Sequence, residues 1–302
     1  MYYYIVNPAA GRGQIKNLQD KIRSRLDELG IRGEWVKTTG PGEAGRIATA
    51  AVDKGHTTIV AVGGDDTVNE VINGVHQDNV AIGIIPLGLH NRVAGQLGII
   101  TWQQACEALA ARRVTPFSLI AAGQKFFLST LTLGFETELD KQVDTAETKL
   151  RGRIRQFTET FGHAENFRPL HCKIEVDEKF TMESDIFTLA ISNQKFLNPL
   201  ADNRLIVTMS EKPAHRFGVG RYAWQSLRRR GTTILEDTAT TRFLARRVVI
   251  ETTPASGIMV DGKVAGRTPI AIRLTDRRVK FITEKIIADF KGALNKNLPD
   301  NR

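Results

Sequence analysis

The chain has 302 residues, 41% of them hydrophobic and 25% charged, with a formal net charge of +9. That length allows two cored domains or one large one, and the composition excludes a disordered or fibrous chain. No uncharged apolar run approaches the roughly 20 residues that span a bilayer. Cys106 and Cys172 are too few and too far apart for a disulfide framework or a metal cluster, and read as buried structural thiols of a reducing compartment. The N-terminus lacks the basic start and long apolar core of a signal peptide, so a cytoplasmic protein is expected. The positive charge favours membrane or phosphorylated partners, and scarce aromatics with no recognised module argue against nucleic acid.

In chain order, Tyr2-Tyr3-Tyr4-Ile5-Val6 predicts a first strand, and Asn7-Pro8-Ala9-Ala10-Gly11-Arg12-Gly13 a loop. Gly11 and Gly13 permit tight turns, and Arg12 adds a positive charge beside a helix start. Ile15, Leu18, Ile22, Leu26 and Leu29 form one apolar stripe closed by Gly30, which predicts a helix. A second strand over 34–38 and a second helix over 43–54 lead to the central stretch. There Thr57 to Val62 is an uncharged, β-branched run, the pattern of a strand buried on both faces. Gly63, Gly64, Asp65, Asp66 and Thr67 follow, then a helix with Val68, Val71, Ile72 and Val75 on one stripe. Thr67 and Glu70 stand at capping-box spacing, which predicts a helix start beside Asp66 or Thr67. A strand, a glycine turn and a helix N-terminus in that order make an anion site, because glycine allows close backbone approach and the helix end supplies donors.

Val80 to Ile85 reads as another buried strand, leading to Pro86-Leu87-Gly88-Leu89-His90-Asn91-Arg92, and Trp102 to Ala111 as a closing helix. This alternation predicts an α/β N-terminal domain with a doubly wound parallel sheet, with ligands at the carboxyl ends of its strands. From Phe117 the texture changes to short β-rich segments, which predict a second domain built as an antiparallel sandwich. The expected boundaries are 1–116 and 117–283. Within the second part, Asp261-Gly262 on its own is a hairpin-turn signal. Phe217, Val219, Tyr222, Trp224 and Leu227, followed by Arg228-Arg229-Arg230, read either as a helix packed on the sandwich with a solvated charge cluster or as an element resting on anionic lipid.

The string Gly63-Gly64-Asp65-Asp66-Thr67-Val68-Asn69-Glu70-Val71 resembles the GGDGTxNEV motif of the diacylglycerol kinase catalytic family, which includes sphingosine kinases and bacterial lipid kinases and is related to NAD kinases and phosphofructokinases. Asn7 to Gly13 resembles the family's NPxAGxG loop. Pro86, Gly88, Asn91 and Ala94 match its PxGTGNDFA segment, and Val260-Asp261-Gly262-Lys263 is similar to its DGE motif. The resemblance implies that Asn7, Pro8, Gly11, Arg12, Gly13, Gly63, Gly64, Asp65, Asp66, Thr67, Glu70, Gly88 and Asn91 hold the nucleotide. It implies Asp261 as the general base, with Asp65 as a second catalytic carboxylate, and ATP and Mg2+ as cofactors. It also implies a tail beyond 284 that returns to the first domain, a lipid substrate met by peripheral contact at the inner membrane face, and room for a homodimer.

The activity implied is transfer of the ATP γ-phosphate to a hydroxyl of diacylglycerol or a similar lipid. The alternatives are a same-fold kinase with another donor or a soluble acceptor, NAD kinase-like or pyrophosphate-using, and a non-catalytic nucleotide- or lipid-binding protein. Several departures bear on that choice. Asp66 replaces a glycine, Arg92 and Lys263 replace acids, and Ser118 stands where the family often has aspartate. In the segment that can hold a structural magnesium only Asp202 remains, so no protein-bound metal is expected. A carboxylate within about 4 Å of a phosphate costs on the order of 4 kcal/mol at a surface-like dielectric. In the distantly related phosphofructokinases GGDD rather than GGDG marks the branch that uses pyrophosphate, so Asp66 is expected either to block the inner phosphate position of ATP or to pair with Arg92 or Lys263.

Overall fold

The computed structural model describes residues 1–13, 15–89, 91–135, 137, 150–197, 202–228, 240–260 and 263–284. Strand β1 (Tyr2–Val6) pairs in parallel with β2 (Gly33–Lys37) on one side and β3 (Thr58–Gly63) on the other, and β4 (Ala81–Pro86) continues the parallel set. Every residue of β3 and β4 is buried, as uncharged runs covered on both faces require. The order β2-β1-β3-β4 reverses between β1 and β3. Right-handed crossovers running in opposite directions from that point place their helices on opposite faces. Accordingly α1 (Ile15–Glu28) packs with α5 (Trp102–Ala111), and α2 (Glu43–Asp53) with α3 (Asp65–Gly74), while the short α4 (Arg92–Gln96) follows β4. The doubly wound sheet expected from the sequence is present.

The rest of the chain forms two antiparallel layers. One is a six-stranded sheet, in the order β12 (Thr240–Ala245), β11 (Leu205–Ser210), β10 (Thr188–Asn193), β7 (Thr130–Gly134), β14 (Gly257–Val260) and β15 (Lys263–Arg267). The other contains β5 (Val114–Ala122), β6 (Lys125–Phe127), β8 (Leu170–Val176), β9 (Phe180–Ile186), β13 (Arg247–Thr253) and β16 (Ile270–Ile282). Between them lies a core that includes Ile120, Phe127, Leu131, Leu189, Ile250 and Ile272. Helices α6 (Leu150–Asn166), α7 (Gln194–Leu197) and α8 (Arg216–Arg228) complete the described elements.

The second layer is continuous with the parallel sheet. Along β16, Ile270 to Arg273 pair antiparallel with β13, while Lys280 and Phe281 pair parallel with β4. β5 runs beside both halves, with an irregularity in register between Leu274 and Arg278. The division at 116/117 thus falls inside β5, whose Phe117 and Leu119 belong to the first core and whose Ile120 and Ala122 belong to the second. Alternating apolar positions look the same on either side of such a handover, which is why a boundary drawn from texture cannot locate it. The tail beyond residue 284, expected to return to the first domain, lies outside the described residues.

Both cysteines are buried, and burial pushes their thiols up to about 11 for Cys106 and about 12 for Cys172. At pH 8 on the order of one Cys106 side chain in a thousand is then thiolate. A thiol-reactive dye should therefore label the native protein slowly and both thiols rapidly in denaturant. Rapid native labelling of either would contradict the packing described.

Candidate active site

The reversal between β1 and β3 opens a crevice at the carboxyl ends of these strands, where an open α/β sheet binds ligands. Asn7 sits at its floor. Its backbone N–H donates to Val62 O at 2.9 Å, its Oδ1 accepts from the Ala9 N–H at 3.0 Å, and its Nδ2 donates to Thr67 Oγ1 at 3.1 Å. One side chain thus joins the first loop to the first turn of α3. Beyond it Gly11, Arg12 and Gly13 all take positive φ, at 57°, 61° and 82°. Arg12 is the one with a Cβ, and the left-handed region costs such a residue about 1–2 kcal/mol.

The loops after β3 and β4 touch backbone to backbone. A Cβ on Gly88 would lie 2.4 Å from Gly64 Cα, one on Gly64 3.1 Å from Gly88 Cα, and one on Gly63 2.4 Å from Thr67 Oγ1. Side-chain hydrogen bonds then hold this contact. Asn91, at φ 51°, accepts from the Gly88 N–H and donates to the Gly88 carbonyl, both at 2.8 Å. Asp65 Oδ2 accepts from the Arg92 N–H at 2.9 Å and Oδ1 from the Val93 N–H at 3.0 Å. Asp65 therefore caps α4 from across the crevice, and the two carboxylate oxygens are directed by those amides.

Helix α3 begins at Asp65 with Gly64 as N-cap and no side-chain cap. The capping box expected between Thr67 and Glu70 does not form. Thr67 turns to Asn7, and the Glu70 carboxylate reaches α2, accepting from the Gly42 N–H at 2.9 Å and the Ala44 N–H at 3.1 Å. The physical reason is local to α2, whose N-cap is a glycine with no acceptor of its own. In α5 the Thr101 and Gln104 box is complete. So Glu70, expected among the nucleotide contacts, is engaged with α2, while the first amides of α3 open on the crevice without a capping side chain.

Beside the crevice lies a cavity of about 540 Å³. Asp66, Asn69, Glu70 and Asn73 line it from one face of α3, at the three- and four-residue spacings that put side chains on one stripe. The second part of the chain lines it mostly with apolar side chains, Ala122, Phe126, Phe127, Val260 and Val264, with the charged Lys125 among them. Asp261 is the next residue after cavity-lining Val260, and Asp261 and His90 both lie outside the described residues. Ser118, at the position where the resemblance implies aspartate, is buried, and its Oγ accepts from Asn203 Nδ2 at 3.0 Å. Among the described residues no group of three or more His, Cys, Asp or Glu could hold a metal ion.

Two residues that fix this cavity carried no sequence signal. Asn73 pairs with the backbone of Phe126 as a strand residue would, its Nδ2 donating to the carbonyl at 2.8 Å and its Oδ1 accepting the N–H at 2.9 Å. Arg277 of β16 donates to the carbonyl oxygens of Val75 and Ile72 at the end of α3, and its guanidinium lies 4.5 Å over the Phe126 ring. Burial pulls the pKa of Arg277 down. These contacts join residues 53 to 205 positions apart, beyond the reach of any local pattern.

Residues 1–122 match the model of the diacylglycerol kinase catalytic domain. Over 194 residues the chain is 27% identical to a protein named "Diacylglycerol kinase" from Bacillus subtilis strain 168, covering 63% of this chain and 64% of that one. It is 27% identical over 188 residues to a "Probable lipid kinase YegS-like" of Cronobacter sakazakii, covering 60% of each. The chain thus spans less than two thirds of the length of these curated relatives. A solved structure of a diacylglycerol kinase from Bacillus anthracis superposes with a TM-score of 0.68 at 20% identity, over 93% of this chain and 96% of that one. At that identity the likeness concerns the fold.

The close approach of the loops makes a direct prediction. Gly88→Ala should destabilise the protein by about 1–3 kcal/mol in chemical denaturation, because Gly64 backbone must move. Gly95→Ala, with nothing within 4 Å, should be neutral or stabilise by up to about 1 kcal/mol. Equal effects at the two positions would contradict the contact. Likewise Asn73→Ala should raise amide exchange at Phe126 by at least tenfold, having removed its acceptor.

Proposed function

We propose that this chain, whose residues 1–122 match the diacylglycerol kinase catalytic-domain model, is a lipid kinase that transfers the ATP γ-phosphoryl group to a hydroxyl of diacylglycerol or a lipid of similar build. The observation that carries this reading is the shared helix α3. Its N-terminus, without a side-chain cap, opens on a glycine-lined crevice, and its side lines a cavity whose other lining is mostly apolar, with Lys125 among it. Phosphoryl transfer asks a protein mainly to position the partners and stabilise charge. Backbone amides of the crevice and the Arg12 charge suit the phosphates, and the apolar wall suits acyl carbons while keeping water out.

In this reading the acceptor hydroxyl oxygen attacks the γ-phosphorus, the bond to the bridging oxygen of ADP breaks, and Asp261 takes the hydroxyl proton. Asp65 keeps the two loops in register through the amides of Arg92 and Val93. Mg2+ keeps most of its waters and is commonly held by one or two carboxylates together with the substrate phosphates. Asp66 and Asn69, neighbours on the cavity face of α3, fit such a sparse donor set. When bound there, the ion would neutralise phosphate charge and offset the repulsion that Asp66 otherwise exerts. Asp66 also favours a second reading, in which the same acceptor is phosphorylated from pyrophosphate.

The test is phosphate transfer from labelled ATP to diacylglycerol in mixed micelles, beside a pyrophosphate arm and an Asp261→Asn control. The expected result is labelled lipid from ATP, reduced at least about 100-fold in the control. Transfer from pyrophosphate alone would select the second donor. Nucleotide binding by thermal shift without transfer to any lipid would contradict the kinase reading. Under either donor, Asp66→Gly should raise the KM for Mg2+ and shift donor preference toward ATP. An unchanged preference would remove Asp66 from donor selection.

A further inference from the structure

Among the described residues four charged side chains line the cavity beside the crevice, and their signs are sorted by element. The acids, Asp66 and Glu70, stand on α3, while the cations stand on the elements that flank it, Arg46 on α2 and Lys125 at the start of β6. Glu70 is already engaged, since its carboxylate accepts from the Gly42 and Ala44 amides. Arg46 has a distant partner. Glu43 lies 4.0 Å from its guanidinium, at the outer limit of an ion pair, and that carboxylate also accepts from the Thr39 N–H and hydroxyl. Both cations line the cavity and are also exposed, the Arg46 side chain to 79%, so they stand at its mouth. Val264, exposed as well, shares that rim.

The level of the two cations along α3 follows from backbone contacts. Gly45, the neighbour of Arg46, packs so closely on α3 that a Cβ there would lie 2.9 Å from the Glu70 carbonyl oxygen, and one on Gly74 would meet the Gly45 carbonyl. Phe126, the neighbour of Lys125, exchanges its backbone hydrogen bonds with the Asn73 side chain. Arg46 and Lys125 therefore flank the same turn of α3, residues 70–74, from different elements. At about 1.5 Å per residue that turn lies roughly 6–12 Å along the axis from Asp66. A donor phosphate at the start of α3 is thus one to two helical turns away from the cations, and an anion held between them belongs to another ligand. Phe126, Phe127 and Val264 line the cavity beside Lys125, and apolar surface of that kind suits carbon. Cations and apolar side chains at one mouth match the junction of phosphate and acyl chain in a single lipid.

We propose that Arg46 and Lys125 select an acceptor lipid that carries a phosphate ester beside its free hydroxyl. The phosphate sits between the two cations, the chain lies on the apolar lining, and the hydroxyl points along α3 toward the donor. Arg46 offers a planar fork to the phosphate oxygens and Lys125 a point charge. Because the two come from different parts of the chain, an anion between them also draws the α2 side of the cavity toward β6. Neither residue takes part in the transfer itself. The selection rests on the lipid-kinase reading and narrows its acceptor.

Lysophosphatidate and monoacylglycerol with the same short acyl chain test this, since both keep a hydroxyl on the central glycerol carbon and only one carries phosphate. Titration calorimetry on the full chain without nucleotide should show lysophosphatidate bound about tenfold tighter or more. Arg46→Gln and Lys125→Gln should each cut that preference about threefold to tenfold, at an unchanged melting temperature because both side chains are exposed. In turnover with ATP the same variants should lower kcat/KM for lysophosphatidate relative to monoacylglycerol by a similar factor, through KM for the lipid. Equal binding of the two lipids, or variants that keep the wild-type preference, would overturn the proposal. So would inorganic phosphate displacing lysophosphatidate as well as the lipid itself does, which would mark a site for free phosphate. A raised KM for ATP with an unchanged acceptor ratio would assign the cations to the donor and overturn it too. Preferential binding of lysophosphatidate without transfer to any lipid would contradict the kinase reading and leave the anion site standing.

Discussion

The backbones of Gly64 and Gly88 meet where the loops after β3 and β4 cross, and the crevice takes its shape from that contact. A side chain on Gly88 would be only 2.4 Å from the Gly64 Cα, so a substituent there forces the loops apart. With the loops together, Asp65 reaches the amides that open α4, and Asn91 closes its turn on Gly88. Thr67 meets Asn7 from the third loop. Polar side chains are thereby spent on holding backbone.

Helix α3 connects this crevice to the rest of the molecule. Its first turn faces the loops, its Asp66 to Asn73 face lines the cavity, and Arg277 holds its last carbonyls. Because β16 pairs with β4 at one end and β13 at the other, the element that carries Arg277 belongs to both units. Two surfaces of opposite character, a glycine-lined crevice and a largely apolar cavity wall, are thus set against each other by a single helix and a single strand.

Much of this was legible from residue patterns. The uncharged runs at Ile59 to Val62 and Ala81 to Ile85 gave buried parallel strands, and the short segments after Phe117 gave antiparallel layers. Asn7, Gly63, Gly64, Thr67, Gly88 and Asn91, singled out by motif, are brought together at one crevice. What sequence reasoning missed is tertiary. Thr67 and Glu70 have capping-box spacing, yet each found a better-placed partner on another element. Asn73 and Arg277 act on groups far along the chain, and the passage of β5 from one core to the other leaves no mark on its alternation.

The central claim is that the uncapped start of α3 binds the phosphates of the donor. A crystal structure with Mg2+ and a non-hydrolysable ATP analogue tests it most directly. The account predicts phosphate oxygens within hydrogen-bond distance of backbone amides in the Gly63 to Thr67 turn, with the terminal phosphate directed toward the cavity. Phosphates bound away from that turn, with the first amides of α3 left to solvent, would contradict it.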